Sequence, residues 1–520
     1  MIEKWGDMAD LTALESASLE HAPQLAAPVR SPMAIIARNS AFVLGVQAVL
    51  KILAFLFNVY VVRRLGDVYF GQYSAVMAYV AMFAIFTDWG MSPYAVREMA
   101  QNRTQTSWLL PNIIAIRILF SLLIIIIAPL SAMWVGKEHG MVLGVLIASA
   151  GLILYAFQGP LDSALTARER LDYTSVFTLV HQLVFWGLDV LLLINGLGFI
   201  GLLIASLAGV AVVAVLSGWT LFRLGIGRLT FSVQRWPQLF LAALPFGVSG
   251  IANVFAQRFD TVLISFVLSD AAVGWYNVPG TLIGPALLIA QSIAIAMYPS
   301  MVRSYAEQPE SLPRVVWQAI KYLLIVCLPI MVGGTVLADR IIITLYEETF
   351  VNSIPVLQMM LWTLPGLFLL ELLGRVTSTM HLERPAARLS VINGAVTVVL
   401  NLILVPTLGV LGAALAAVSS VTIRLVQFWR LVGSEYLVGQ RWGSLLRLAL
   451  ATTTMGVIVF LLRQVPLFGA IDSRVGLLAL IGAGAIVYVA ALLALGGVER
   501  QELAFLHRMV MERLARGGTK

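Results

Sequence analysis

Runs of roughly 20 apolar residues follow one another along nearly the whole chain, separated by short stretches of Gly, Pro and charge. A helix needs about 20 residues to cross some 30 Å of hydrocarbon. Length and punctuation together predict about fourteen spans. They cover 40–62, 70–95, 109–135, 141–160, 173–194, 199–222, 239–268, 275–300, 316–338, 354–376, 389–406, 409–430, 444–463 and 475–496. Only "PTLG" separates the eleventh from the twelfth. The expected fold is an all-α polytopic membrane protein.

Composition agrees with that pattern. Of 520 residues 60% are hydrophobic and 12% charged, against the ~25% charge of a soluble domain. An isoelectric point near 9.6 could point to nucleic acid, but the cations are scattered between apolar runs and form no patch. They read as a topology signal, and no nucleic-acid partner is expected. An even span count puts both termini on one side. With that side cytoplasmic, twenty-three of the 34 Lys and Arg fall inside. Six (Arg63, Arg64, Lys137, Arg340, Arg463, Arg474) fall outside and five lie within spans. The lone Cys327 excludes an internal disulfide. Residues 1–38 form a polar arm without the basic start and apolar core of a signal peptide. The tail 498–520 places Leu503, Leu506, Val510 and Leu514 on one face, as in a helix lying along a membrane surface.

An internal repeat organises the spans. "LGDVYFGQY" (65–73) and "LSDAAVGWY" (268–276) share Leu-x-Asp-x-x-x-Gly-x-Tyr. "PYAVREMA" (93–100) matches "PSMVRSYA" (299–306), and "LGFIGLLIA" (197–205) matches "LGVLGAALA" (408–416). All three pairs keep the same order with slowly drifting offsets. The repeat unit is therefore six spans, and its even number gives both copies one orientation. Such parallel repeats build transporters that rock two bundles about a central site. The boundaries are 39–235 and 236–432 for the two bundles, 433–497 for two appended helices and 498–520 for the tail. In the Leu-x-Asp corner, Gly is expected to permit the turn and Tyr to suit the interface.

Ionisable groups inside spans each cost roughly 2.5–3.5 kcal/mol at mid-membrane, so each should face a cavity or a partner. Glu371 and Arg375 stand four apart in the favourable order for an intrahelical ion pair. Lys51 and Arg258 project from equivalent faces of the first and seventh spans, where two cations attract an anion such as a phosphate. Arg117 adds a third cation for that site. Structural ion pairing is the rival reading of these charges. Asp88, Asp260 and Glu371 are candidate coupling or gating carboxylates, since a buried carboxylate can exchange a proton or bind sodium. Asp88 has no counterpart in the second repeat, where Ala294 takes its place, so it reads as a specialisation of the first bundle.

Enzyme chemistry finds no support in the residues. The five His are dispersed without metal spacing, and no Gly-x-x-x-x-Gly-Lys-Ser/Thr loop is present. No metal site, cofactor or catalytic residue is expected, and a proton or sodium ion is the only small partner to consider.

"Arg-Leu-Gly-x-x-x-x-Gly-x-Tyr-Ser" (64–74), "Asp-x-Gly" (88–90), "Arg-Glu-x-Ala" (97–100) and "RFDTVLISFVLSDAAVGWYNV" (258–278) resemble polysaccharide transporters. These are the Wzx-like flippases of the multidrug/oligosaccharidyl-lipid/polysaccharide exporter superfamily. The resemblance implies a V-shaped pair of six-helix bundles around a cationic central cavity. It implies movement of an undecaprenyl-pyrophosphate-linked oligosaccharide to the outer leaflet of a bacterial inner membrane, usually with gradient coupling. The products implied are O-antigen, capsule or exopolysaccharide, and the partners are membrane lipids, a polysaccharide polymerase and its chain-length machinery. A single lysine in the first span, in place of an Arg-rich cluster, weighs against a lipid II flippase. Lys51, Arg117 and Arg258 weigh against a multidrug/cation antiporter of the same superfamily, whose cavity would favour carboxylates.

Overall fold

The computed structural model describes residues 32–225, 229–433, 442–465 and 473–497. All regular structure among them is helical. Most of the polar arm and all of the amphipathic tail expected from the sequence lie outside these residues, although the chain is already helical at Pro32. Residues Met1–Ala54 and Phe55–Lys520 are separate compact units. In the first, Lys51 is an exposed helical residue. Every contact described below lies within the second.

The elements in chain order are α1 (Pro32–Asp88), α2 (Met91–Gln101), α3 (Thr106–Trp134), α4 (His139–Ala167), α5 (Leu171–Ile194) and α6 (Gly198–Arg223). After them come α7 (Trp236–Val267), α8 (Asp270–Glu307), α9 (Leu312–Val336), α10 (Ala338–Tyr346), α11 (Ser353–Leu361) and α12 (Leu364–Thr379). The last four are α13 (Glu383–Leu408), α14 (Val410–Val432), α15 (Trp442–Leu462) and α16 (Ser473–Ala494). Among the described residues eleven helices are long and apolar enough to cross a membrane, and thirteen if each bent pair counts as one. The stretch Leu50–Asp88 is one of the eleven, yet at 39 residues it is about twice the length a bilayer needs. Its division falls at Gly66, the one non-helical residue inside α1 (φ 72°, ψ −179°).

Two further details depart from simple hydropathy. The tenth expected span is two helices, α11 and α12, bent by 42°. The weak eleventh–twelfth boundary is a tight turn in which only Gly409 (φ 62°) lies between α13 and α14. Gly412 then lets the backbones meet, since a Cβ there would stand 1.9 Å from the Leu404 carbonyl oxygen.

The repeat read from the sequence recurs in the backbone. A 3-10 turn at Arg103–Gln105 leads into α3, and one at Pro309–Ser311 leads into α9, 206 residues later. Glu169 (φ 60°) ends α4 in the left-handed region, and His381 (φ 57°) ends α12 in the same way. One feature is not repeated. The first half breaks at Trp89 and Gly90, both at positive φ, whereas α8 runs unbroken through the equivalent residues around Ala294.

Candidate functional site

The Leu-x-Asp-x-x-x-Gly-x-Tyr corners are the first part of the site. Sequence reasoning gave the motif glycine to the turn, but the turn of the first corner falls one residue before Asp67, at Gly66. Gly71 and Gly274 are helical, and each lies against the other half of the molecule. A Cβ on Gly71 would stand 1.7 Å from the Asp270 carbonyl oxygen, and one on Gly274 would stand 2.4 Å from that of Asp67. Side chains repeat the exchange. Gln72 Nε2 donates to Asp270 Oδ2 at 3.1 Å, and Trp275 Nε1 donates to Asp67 Oδ2 at 3.0 Å. Asp67 and Asp270, Gly71 and Gly274, and Gln72 and Trp275 are equivalent positions of the repeat, so the contact is reciprocal about the pseudo-two-fold. The clasp is widened by Lys137, whose ammonium bonds the Ser265 carbonyl and hydroxyl, and by Arg63 with Glu347 at 3.3 Å. Around these polar contacts the halves share apolar packing, with Tyr79 edge-on to Phe266 at 5.6 Å.

Asp260 joins this corner. Tyr276, the motif tyrosine, donates its hydroxyl to Asp260 Oδ2 at 2.5 Å. Arg258, two residues earlier on α7, is exposed and has no carboxylate within ion-pair distance among the described residues.

Towards the opposite end lies the break after Asp88. Arg117 of α3 donates to Asp88 Oδ1 at 2.8 Å and to Ser92 Oγ at 3.0 Å. Ser92 in turn donates its hydroxyl to Asp88. Arg117 is 7% exposed, and Gly159 of α4 leaves room for it, because a Cβ there would stand 2.5 Å from its Nη1. Beside the pair, Gly90 packs on α7, with Gly247 N 2.3 Å from where its Cβ would be. The ion pair thus fixes a backbone break that presses directly on the second half. Sequence reading named Asp88 and Arg117 separately, for coupling and for substrate; the structure brings them together.

Glu371 and Arg375 of α12 line a cavity of about 390 Å³ with Arg424 of α14 and Ser378. The spacing of four puts both charges on one wall, but no ion pair within 4 Å joins them among the described residues. Arg375 lies over the Tyr298 ring at 6.0 Å and Arg424 over Phe428 at 5.5 Å. One carboxylate and two guanidiniums, each near an aromatic ring, line the cavity.

Asp189 of α5 is a further carboxylate within a span. It is 0% exposed, and neither carboxylate oxygen has a hydrogen-bond partner. It lies five residues from the C-terminal end of the 24-residue apolar helix α5. Such a group is costly in its charged form.

Two bundle halves related by a parallel repeat, in contact both at the corners and at the Trp89–Gly90 break and carrying charge within their spans, have the architecture of a membrane transporter. The model of the polysaccharide biosynthesis protein family matches residues 36–305, just over half of the chain, and the chain belongs to that family. The family expected from residues 64–100 and 258–278 is therefore borne out. A relative in Haloferax volcanii, described as a probable low-salt glycan biosynthesis flippase, is 24% identical over 72% of this chain and 78% of its own. A second protein of that organism, a probable flippase, is 27% identical over 32% of this chain and 35% of its own. Among solved structures, the lipid II flippase MurJ in an inward closed conformation superposes with a TM-score of 0.68 at 14% identity, covering 86% of this chain and 98% of that one. An inward-facing multidrug transporter of the MOP superfamily gives 0.55 at 17% identity, covering 73% and 94%. At these identities the two structures establish the fold alone, an all-helical multi-pass membrane architecture.

Proposed function

We propose that the protein flips an undecaprenyl-pyrophosphate-linked oligosaccharide, the repeat unit of an O-antigen, capsule or exopolysaccharide, across a bacterial inner membrane. It does so by alternating access, driven by a proton or sodium gradient. The observation that carries the reading is the reciprocal clasp at one end of the repeat. With the termini cytoplasmic, as the cation distribution favours, the clasp closes the periplasmic end. Small polar contacts of this kind can be made and broken within each cycle.

In this reading Arg258, an exposed cation of α7, receives the pyrophosphate. Arg117 serves the site through Asp88, and that pair gates the break at Trp89–Gly90. Asp260, Glu371 and the buried Asp189 are the carboxylates available for coupling. Asp260 is placed for it, because its Tyr276 partner belongs to the clasp. The polymerase and chain-length machinery would then take the product at the periplasmic face.

Deleting the gene is expected to abolish surface polysaccharide while lipid-linked repeat units accumulate at the cytoplasmic face. A copy carrying Arg258→Ala should fail to restore the polymer although it is inserted normally. Intact polysaccharide in the deletion strain, with altered sensitivity to cationic dyes, would identify a multidrug antiporter instead.

A further inference from the structure

At the end of the helices opposite the clasp, three turns of the first half enclose a cleft of about 580 Å³. That volume is in the usual range for a small-molecule site. Arg103 enters from the 3-10 turn before α3, Arg168 and Arg170 from the α4–α5 turn, and Leu224 and Gly225 from the end of α6. Among the described residues no carboxylate lines the cleft.

The three arginines are differently engaged. Arg170 is held by a two-pronged bond to Asp172, at 3.1 Å for each prong, and by the Tyr173 ring 4.4 Å below its guanidinium. Arg168 donates Nη1 to the Leu224 carbonyl at 3.3 Å, and its buried Nε has no partner. Arg103 is exposed, with no ion pair among the described residues. The hydroxyls contribute less, since those of Thr104 and Ser107 are donated to Asn102 and to the Thr104 carbonyl. Two guanidiniums are therefore left with donors to offer, and a third is fixed at their side.

The repeat supplies an internal control. The 3-10 turn at Pro309–Ser311 and the left-handed turn at His381 reproduce the backbone of both loops. Even the closing bonds recur, Arg170 N to Leu165 O at 3.1 Å and Leu382 N to Thr377 O at 2.8 Å. Arg103, Arg168 and Arg170 correspond there to Pro309, Met380 and Leu382. The fold of the turns does not require cations, so their convergence in the first half has another cause.

We propose that this cleft binds the phosphate of a membrane lipid, with Arg103 and Arg168 as the donors and Arg170 as a fixed neighbouring charge. Bidentate guanidinium–phosphate recognition matches the residue type, and the cleft lies at the ends of α4 and α6, two helices long and apolar enough to cross a membrane. The phosphate can come from an anionic phospholipid or from a polyprenyl diphosphate. The assignment does not rest on the transport reading above and stands or falls separately from it.

Native mass spectrometry of the full-length protein in detergent tests it, with phosphatidylglycerol, phosphatidylethanolamine and undecaprenyl diphosphate as probes. Wild type should retain phosphatidylglycerol or undecaprenyl diphosphate in preference to phosphatidylethanolamine. Arg103→Gln/Arg168→Gln should weaken that binding about tenfold, as loss of charge-assisted bonds does. Arg303→Gln, which removes an exposed cation at the same end of the second half, should leave it unchanged. Whichever lipid loses more in the double variant is the source of the phosphate. If the double variant does not fold, Arg103→Gln alone carries the test, since its side chain is exposed. Anionic lipids bound equally by wild type and variant, no anionic preference in wild type, or an equal loss in Arg303→Gln would each overturn the assignment.

Discussion

Gly71→Val is expected to halt transport of the lipid-linked glycan while leaving a folded, membrane-inserted protein. A Cβ at this position falls 1.7 Å from the Asp270 carbonyl oxygen, which is backbone and has no rotamer to escape into. Overpacking of this kind costs about 1–3 kcal/mol, and only the clasped state bears it. A difference of that size shifts the balance between the clasped and open states roughly 5–150-fold. Gly274→Val should do the same through the Asp67 carbonyl, because the contact is reciprocal. Gln72→Ala and Trp275→Phe each remove one hydrogen bond and should reduce transport only a few-fold, in keeping with about 0.5–1.5 kcal/mol per bond. Hydrogen–deuterium exchange checks the cause: peptides covering 65–75 and 268–278 should exchange faster in Gly71→Val than in wild type. Unchanged exchange and wild-type transport would show that the two corners do not gate the molecule.

Arg117→Met has the second large effect, and it acts on stability. The guanidinium and the Asp88 carboxylate meet at 2.8 Å with side-chain exposures of 9% and 18%. Breaking one side of a buried pair strands the other charge at a cost of about 3–5 kcal/mol. Thermal unfolding in detergent should show a clear loss for Arg117→Met and a much smaller one for Asp88→Asn/Arg117→Met, where no charge is stranded. Equal losses in the single and double variants would mean that the residues act independently. The surviving double variant should also transport poorly, because the Trp89–Gly90 break has then lost its lock against Phe246 and Gly247.

The outline of the fold was legible because its cause is simple: a bilayer demands apolar helices of fixed length, and hydropathy reports that length. The repeat was legible because Asp67, Gly71 and Tyr73 recur as Asp270, Gly274 and Tyr276. What the repeated residues do was not legible. A glycine in a helix that meets a neighbouring backbone looks, in sequence, like a glycine in a turn, and Gly71 was assigned the role that Gly66 plays. Charges within spans were legible as a set, but their partners were not. Asp88 and Arg117 are 29 residues apart on different helices, so no local spacing could join them. Glu371 and Arg375 had the spacing of a pair, but Arg375 lies over Tyr298 and both charges line a shared cavity. Asp189 sits on a helix that read as ordinary, and only its burial with two unpartnered oxygens distinguishes it.

This chain is expected to carry a lipid-linked oligosaccharide across a bilayer by opening and closing its clasp. Reconstitution into liposomes with an undecaprenyl-diphosphate-linked oligosaccharide, scored by access of an impermeant sugar oxidant, tests it most directly. The account predicts protein-dependent translocation that an imposed proton or sodium gradient accelerates, and that Gly71→Val and Arg258→Ala both abolish. No movement of the glycan lipid by wild-type protein, in vesicles where the same protein takes up a cationic dye, would contradict it.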